Sequence, residues 1–367
     1  MEKINQSKIE KLISELCPNG VEFLDIERLW IKAPKSKLGV AQVKELSEGN
    51  IICFTSGKNV FYVDDYLVDG EYIFMNDGGS ADTKYNKGKA YYTDHTFTFT
   101  VNENKLLPKF IYYFLKENEI YINDILFKGT GLKNLNKKAF AKFKIPVPPL
   151  AIQEEIVKIL DNFTELEAEL EAELEARKKQ YDYYHKDLFD FKNDFEIKTL
   201  GDIYDFQYGE GNTIPTTGGK FPVYGSNGIV GLHDKYNSED APVIGHIGAY
   251  AGIVNWAQGK HFVTYNGVIC KIKPDVNPRF AYHLLVLQDF RSKANAGSQP
   301  FVSYDMLKKT IVKIPNISMQ NKIADTLDKF YLLLNDISIG LPAELKARRQ
   351  QYEYYRNKLI TFKEYVG

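Results

Sequence analysis

Ala176-Arg177-Lys178-Lys179-Gln180-Tyr181-Asp182-Tyr183-Tyr184 returns in the second half of the chain as Ala347-Arg348-Arg349-Gln350-Gln351-Tyr352-Glu353-Tyr354-Tyr355. Working outward from each copy, the correspondence continues. Lys144-Ile145-Pro146, Ile152-Gln153-Glu154-Glu155-Ile156 and Leu160-Asp161-Asn162-Phe163 match Lys313-Ile314-Pro315, Met319-Gln320-Asn321-Lys322-Ile323 and Leu327-Asp328-Lys329-Phe330. Fainter matches reach the segments before these. Phe54-Thr55-Ser56-Gly57-Lys58 aligns with Tyr224-Gly225-Ser226-Asn227-Gly228, Gly78 with Gly248, Thr93 with Thr264, and Pro108-Lys109-Phe110-Ile111-Tyr112 with Pro278-Arg279-Phe280-Ala281-Tyr282. The chain is written twice, with closely matching ends and diverged globular parts. That is the pattern expected when the repeated ends share one job and the globular parts have different targets. A duplicated structural protein with drifting loops would show the same pattern.

Each repeated end has helical periodicity. Ile156, Leu160, Phe163, Leu166, Leu170, Leu174, Tyr181, Tyr184, Leu188 and Phe191 mark one face of a helix that packs on another helix. Pro148-Pro149-Leu150 marks its start, because proline is tolerated in a first turn and not inside. Counted from Gln153 to Phe191 at ~1.5 Å per residue, the helix is roughly 60 Å long, a spacer more than a core element. The second stripe runs through Ile323, Leu327, Phe330, Leu334, Ile337, Leu341, Leu345, Tyr352, Tyr355, Leu359 and Phe362. It is longer by about one turn, and Gly340-Leu341-Pro342 inside that insertion predicts a kink or an interruption. The two stripes can satisfy each other as an antiparallel pair. Roughly residues 20 to 147 and 197 to 315 read as short strands with Gly-rich turns and a few helices. Thr96 to Val101 alternates like a strand, and Phe110 to Glu117 has helical spacing.

The resulting fold class is α/β, with two mixed α/β domains separated by two long antiparallel helices in an internal pseudo-two-fold repeat. In chain order the segments are 1–147, an N-terminal helix and first domain; 148–194, the first long helix; 195–315, the second domain; and 316–367, the second long helix.

At 367 residues the chain has room for two to three domains, and 44% hydrophobic with 26% charged residues is ordinary for a globular protein. Neither a leader nor an apolar run of membrane-spanning length is indicated, so a cytoplasmic location is expected. Cys17, Cys53 and Cys270 have no disulfide or metal spacing. A net charge of -1 argues against bulk coating of nucleic acid, yet charge is locally patterned. No acid falls between Ile125 and Leu150, where Lys128, Lys133, Lys137, Lys138, Lys142 and Lys144 accumulate, and Arg291, Lys293, Lys308, Lys309 and Lys313 occupy the matching region. Recurrence in both halves favours phosphate contact over a merely solvated face.

Catalytic signatures are missing. There is no phosphate-binding G-x-x-x-x-G-K-[ST] loop. Phe206-Gln207-Tyr208-Gly209-Glu210-Gly211 is followed by Asn212-Thr213-Ile214-Pro215 where a nucleotide loop needs a helix start. Asn277-Pro278-Arg279-Phe280 half resembles an amino-methyltransferase signature, but its counterpart Leu107-Pro108-Lys109-Phe110 lacks the asparagine, which suggests a helix start instead. Asp82-Thr83-Lys84 and Glu344-Leu345-Lys346 match only a short nuclease-like element. His95, His185, His233, His246, His261 and His283 lack metal-ligand spacing. No catalytic residue, metal or cofactor is expected.

Two variable domains alternating with two near-identical helices resemble the DNA specificity subunit of type I restriction-modification systems. The residues carrying the resemblance are Ile145-Pro146-Val147-Pro148-Pro149-Leu150 with Gln153-Glu154-Glu155-Ile156, Ala176 to Tyr181 with Tyr183 to Phe189, and the opening Cys17-Pro18-Asn19-Gly20-Val21-Glu22-Phe23. The second copy departs at Asn316 and at Gly340 to Pro342. The resemblance covers essentially the whole chain. It implies that each domain reads one half of a split double-stranded DNA site, with half-sites roughly 34 Å apart, about one turn of DNA. It also implies that the helices dock two modification subunits, which bring S-adenosylmethionine and adenine methylation, and through them the restriction subunits. A scaffold that reads no DNA and a self-contained DNA-modifying enzyme are the alternatives.

Base readers should be polar or cationic groups on exposed Gly-rich turns, where the backbone can approach a base edge. The candidates are Ser56, Lys58, Lys84, Tyr85, Lys133 and Asn134 in the first half, and Ser226, Asn227, His246, Tyr250, Ser298 and Gln299 in the second.

Overall fold

The computed structural model describes residues 7–46, 49–212, 214–215, 218–295, 299–335 and 340–365. The chain divides into two compact units, one running to Glu169 and resuming at Lys346, the other spanning Leu170–Leu345. The division cuts through both helical segments, in contrast to the chain-order segmentation expected from sequence. The reason is packing. Ile152, Ile156 and Leu160 near the start of the first helix share a core with Leu359 and Ile360 near the end of the second. Ile323, Ala324 and Leu327 share the other core with Phe189.

In the first unit, α1 (Lys8–Leu16) is closed by a capping box between Ser7 and Glu10 and buries Ile9. β1 (Glu22–Asp25) pairs antiparallel with β11 (Lys144–Val147). A four-stranded antiparallel sheet has the order β2 (Trp30–Lys32), β8 (Thr96–Val101), β5 (Glu71–Asn76), β6 (Thr83–Lys87). Beside it, β4 (Phe61–Val63), β3 (Ile51–Phe54) and β7 (Ala90–Tyr92) form a second sheet in which β3 and β7 are parallel. α2 (Val40–Glu45) flanks β4, and α3 (Pro108–Glu117) lays Phe110, Ile111 and Leu115 on Ile73 and Phe99. α4 (Glu119–Tyr121), the short pair β9 (Phe127–Lys128) and β10 (Asn134–Leu135), and α5 (Lys137–Ala141) complete the unit before α6 (Leu150–Asp187) begins.

The second unit repeats this plan. α7 (Leu200–Ile203) follows β12 (Phe195–Thr199), which pairs antiparallel with β19 (Ile311–Pro315) as β1 pairs with β11. One six-stranded sheet has the order β13 (Tyr204–Tyr208), β18 (Gly267–Ile272), β16 (Ser238–Gly245), β17 (Val254–Val263), β14 (Phe221–Gly225), β15 (Gly228–His233). Strand for strand this is the order β2, β8, β5, β6/β7, β3, β4. The continuous β17 covers what β6 and β7 cover in two pieces, the break falling at Gly88 with φ +104°. Register confirms the match: Ile73 faces Tyr85 as Pro242 faces Trp256. The faint alignment of Thr93 with Thr264 is also explained. Both are buried, and their amides donate to the carbonyls of the aligned Phe54 and Tyr224, each at 3.0 Å. α8 (Pro278–Leu287) takes the place of α3 and is followed by α9 (Phe290–Lys293) and α10 (Tyr304–Lys309).

The first long helix is shorter than expected. α6 stops at Asp187, short of Phe191, because Phe189 turns into the second core instead of continuing the stripe. The second helical segment is described as α11 (Ile317–Asn335) and α12 (Leu341–Ile360). Gly340 accepts the first bonds of α12 and Pro342 lies in its first turn; Ile337 lies outside the described residues. Each unit closes the helix seam with the same aromatic pair. Phe163 stacks on Tyr355 at 5.5 Å in one, and the matched Phe330 stacks on Tyr184 at 5.8 Å in the other. Leu166, mid-stripe, is instead exposed.

The repeated polar residues clasp each domain to its helix. Gln153 Oε1 accepts from Leu107 N at 2.8 Å, and its amide donates to the carbonyls of Pro148 and Lys105. The matched Gln320 accepts from Asn277 N at 2.9 Å and donates to Pro315 O. Asp161 receives Lys109 at 2.8 Å and the Tyr113 hydroxyl at 2.5 Å, while Asp328 receives Arg279 and His283. The Arg279 guanidinium also lies over Trp256 and Tyr282, as Lys109 lies over Tyr85. Burial opposes ionisation of Asp328, but bonds from His283 and Arg279 outweigh it and hold the carboxyl down at about 2. The Asn277 side chain caps α8 through Arg279 N and Phe280 N, so that motif is a helix start.

Candidate nucleic-acid interface

Three loops, far apart in sequence, converge at one edge of the sheets in each unit. In the first unit they are the turn after β3, the turn Asp77–Ser80 after β5, and the stretch from Gly129 into β10. The first is shaped by Thr55, whose hydroxyl accepts from Gly57 N and donates to Asn59 O. The second and third are joined by backbone: Gly79 N donates to Lys133 O at 2.8 Å and Leu135 N to Asp77 O at 3.0 Å. Lys137 braces this junction through an ion pair to Asp77 at 2.6 Å.

The second unit joins the corresponding loops in the same way. Gly248 N donates to Pro300 O at 2.8 Å, and Val302 N to His246 O at 3.0 Å. Ser226 and Asn227 form the hairpin turn between β14 and β15, with Gly228 at φ +81°. A side chain at Gly245 would lie 2.7 Å from Ser226 O and against Tyr250 O, so the first two loops touch through their backbones.

Of the candidates in the first unit, Ser56, Lys58, Lys84 and Tyr85 line one open cleft of about 580 Å³. Lys58 is exposed and Ser56 half-buried on the first turn. Lys84 and Tyr85 lie on β6, not on a turn. The Lys84 ammonium is committed to Thr55 O at 3.2 Å, Asn76 Oδ1 at 3.1 Å and Asp82 at 2.8 Å, which uses its three donors to hold the cleft together. Tyr85 donates to Glu71 at 2.7 Å, and burial followed by that bond pushes its hydroxyl pKa up. Lys133 and Asn134 are exposed on the third loop.

In the second unit Tyr250 and Gln299 are exposed, while His246 is buried. Ser298 lies outside the described residues. Sequence reasoning missed Tyr208, Tyr265 and Tyr304. Tyr208 stacks on Tyr304 at 4.0 Å and contacts His246 at 4.6 Å and Tyr265 at 5.7 Å. Their separation along the chain hid the cluster, and no local signal marks it. The loop Asp77–Ser80 also carries no sequence candidate, and the structure matches Gly248 to Gly79 instead of the aligned Gly78, because these two amides make the same bond to the third loop.

The basic run between Ile125 and Leu150 is less available than its composition suggests. Lys137 pairs with Asp77, Lys142 with Asp25 and Glu27, and Lys144 with Asp25. Lys128, Lys133 and Lys138 are exposed and carry no ion pair with any described residue. In the second half Lys309 pairs with Asp305, and Lys313 donates to Phe191 O. Among the described residues no side-chain group is arranged to hold a metal ion, and no helix is long and apolar enough to cross a membrane.

The type I restriction modification DNA specificity domain matches residues 30–176 and again 192–347. A type I restriction enzyme specificity subunit of Escherichia coli is 32% identical over 302 residues, covering 71% of this chain and 72% of that protein. A putative type I restriction enzyme specificity subunit of Haemophilus influenzae is 30% identical over 394 residues, covering 98% and 100%. The fold is shared with the crystal structure of a type I restriction-modification S subunit from M. genitalium at a TM-score of 0.68 and 21% identity, covering 93% of this chain and 96% of that one. The two matched segments contain the two sheets with their converging loops. The chain therefore belongs to the type I restriction-modification DNA specificity family and carries two of its specificity domains.

Proposed function

We propose that this chain is the non-catalytic reading subunit of a type I assembly, in which each unit recognises one half of a split DNA site through its three converging loops. One observation carries the reading. The loops occupy the same positions in both units but bear different side chains: Ser56-Gly57-Lys58 against Ser226-Asn227-Gly228, Gly78-Gly79-Ser80 against Ile247-Gly248-Ala249, and Lys133-Asn134 against Pro300-Phe301. The helix clasps meanwhile keep the same chemistry. Different readers on one frame fit two different half-sites. Lys58, Lys128, Lys133 and Lys138 suit phosphate contact, and Ser56, Asn134, Asn227, Tyr250 and Gln299 suit base edges.

The helical segments dock two modification subunits, which supply S-adenosylmethionine and methyl transfer and connect to restriction subunits. Matched exposure supports this role. Tyr183 is 64% exposed and its repeat counterpart Tyr354 62%, each beside a tyrosine that stacks on the seam phenylalanine of its unit. Two copies of one partner would each find one such aromatic anchor. The test is methylome sequencing of cells that express the chain with its modification subunit. A split motif of methylated adenines is expected, and exchanging residues 20–147 for those of a relative should change one half only. Absence of any motif beside an active modification subunit would instead favour a scaffold.

A further inference from the structure

His246 is held in one tautomer. Its Nδ1 lies 3.0 Å from Val302 O, and a carbonyl only accepts, so Nδ1 carries the proton and Nε2 presents a lone pair. The ring is fixed against Tyr208 at 4.6 Å and edge-on to Tyr265 at 5.8 Å, and Val302 N returns a bond to His246 O. Nothing among the described residues bonds to Nε2, yet that atom is not sealed in the protein as the unpaired Nε2 of His261 is. It sits where the loop bearing Tyr250 meets the segment Gln299–Val302; the matched position of the first unit holds Asp77, committed to its ion pair with Lys137. A preset acceptor on a rigid ring is complementary to one feature of the major groove, the exocyclic amino group of adenine or cytosine.

We infer that His246 is a specificity-determining residue of the second half-site and accepts a hydrogen bond from a base amino group through Nε2. This rests on the DNA-reading function proposed above. Lysine and serine in the first unit offer donors, so the inference also distinguishes the chemistry of the two halves. The test uses the chain assembled with its modification subunits and duplexes carrying the motif of the unaltered protein. At each position of the second half-site except the adenine that itself receives the methyl group, purine replaces adenine or 2-pyrimidinone replaces cytosine, deleting only the amino group. At one position the deletion should reduce methylation by the unaltered chain about tenfold, the worth of one contact to a base edge. His246→Phe, which keeps a ring but has no acceptor, should be indifferent to the same deletion while still requiring every base of the first half-site. His246→Asn serves if the phenylalanine variant fails to fold, and should restore part of the discrimination. If His246→Phe remains as sensitive as the unaltered chain at every position, or loses both half-sites alike, His246 is a packing residue and the inference fails. If the unaltered chain yields no split motif, the DNA-reading proposal fails first, and the two failures are told apart.

Discussion

His185 is buried, its Nε2 donating to the His283 carbonyl at 2.8 Å, and burial pushes its pKa down from 6.5 to about 4. The unfolded chain takes up a proton near pH 6.5, while the folded chain resists it until about pH 4. Over that window the unfolded state binds more protons, so stability falls as pH falls, by up to roughly 3 kcal/mol. His283 is shifted the same way by burial, whereas the Asp328 window lies lower, between 3.8 and about 2. His185→Gln, which keeps a donor for the carbonyl, should therefore flatten but not abolish the fall. Urea unfolding at pH 7, 6 and 5 checks it, and equal slopes for variant and parent would refute the burial argument. At this scale the sequence marked the right positions without their roles. Gln153 and Asp161 stood inside repeated motifs and His185 directly after one, but only the folded chain set Gln153 against Leu107 N and Asp161 against Lys109.

Among the elements, the contact between loops decides the shape of the reading edge. Gly245→Ala would force Cβ to within 2.7 Å of Ser226 O and against a second backbone carbonyl. Backbone cannot swing aside as a side chain does, so the first two loops must part, at a cost of about 1–3 kcal/mol. Gly78→Ala is the control. Its Cβ would meet Asn134 Oδ1 at 2.9 Å, the free end of a side chain that can rotate away. Thermal stability should fall in Gly245→Ala and change little in Gly78→Ala, and because the Asn134 side chain displaced in the control is itself a proposed reader, the comparison is made on melting alone; equal effects would show that the loops are not in rigid register. The loops themselves were legible as Gly-rich turns. Their convergence was not, because it depends on bonds such as Gly79 to Lys133, which join residues with no local sequence relation.

For the whole molecule, the helical segments set how many base pairs go unread between the half-sites, on the function proposed here. Inserting four residues, about one turn, into α6 between Leu170 and Leu174 lengthens the spacer by ~6 Å while preserving its apolar face. The methylated motif should keep both half-sites and widen its gap by about two base pairs at ~3.4 Å each. An unchanged gap, or an altered half-site, would sink this account. The sequence by itself determined the repeat, the helical stripes, the α/β class and the family, since these live in spacing and in residues that recur at matched positions. Tertiary structure alone decided that each unit draws on both helical segments, that β17 replaces β6 and β7, that Lys84 faces inward, and that His246 meets Tyr208. Each of these depends on packing and hydrogen bonds between distant segments, where burial and satisfaction of polar groups, not local pattern, select the partner.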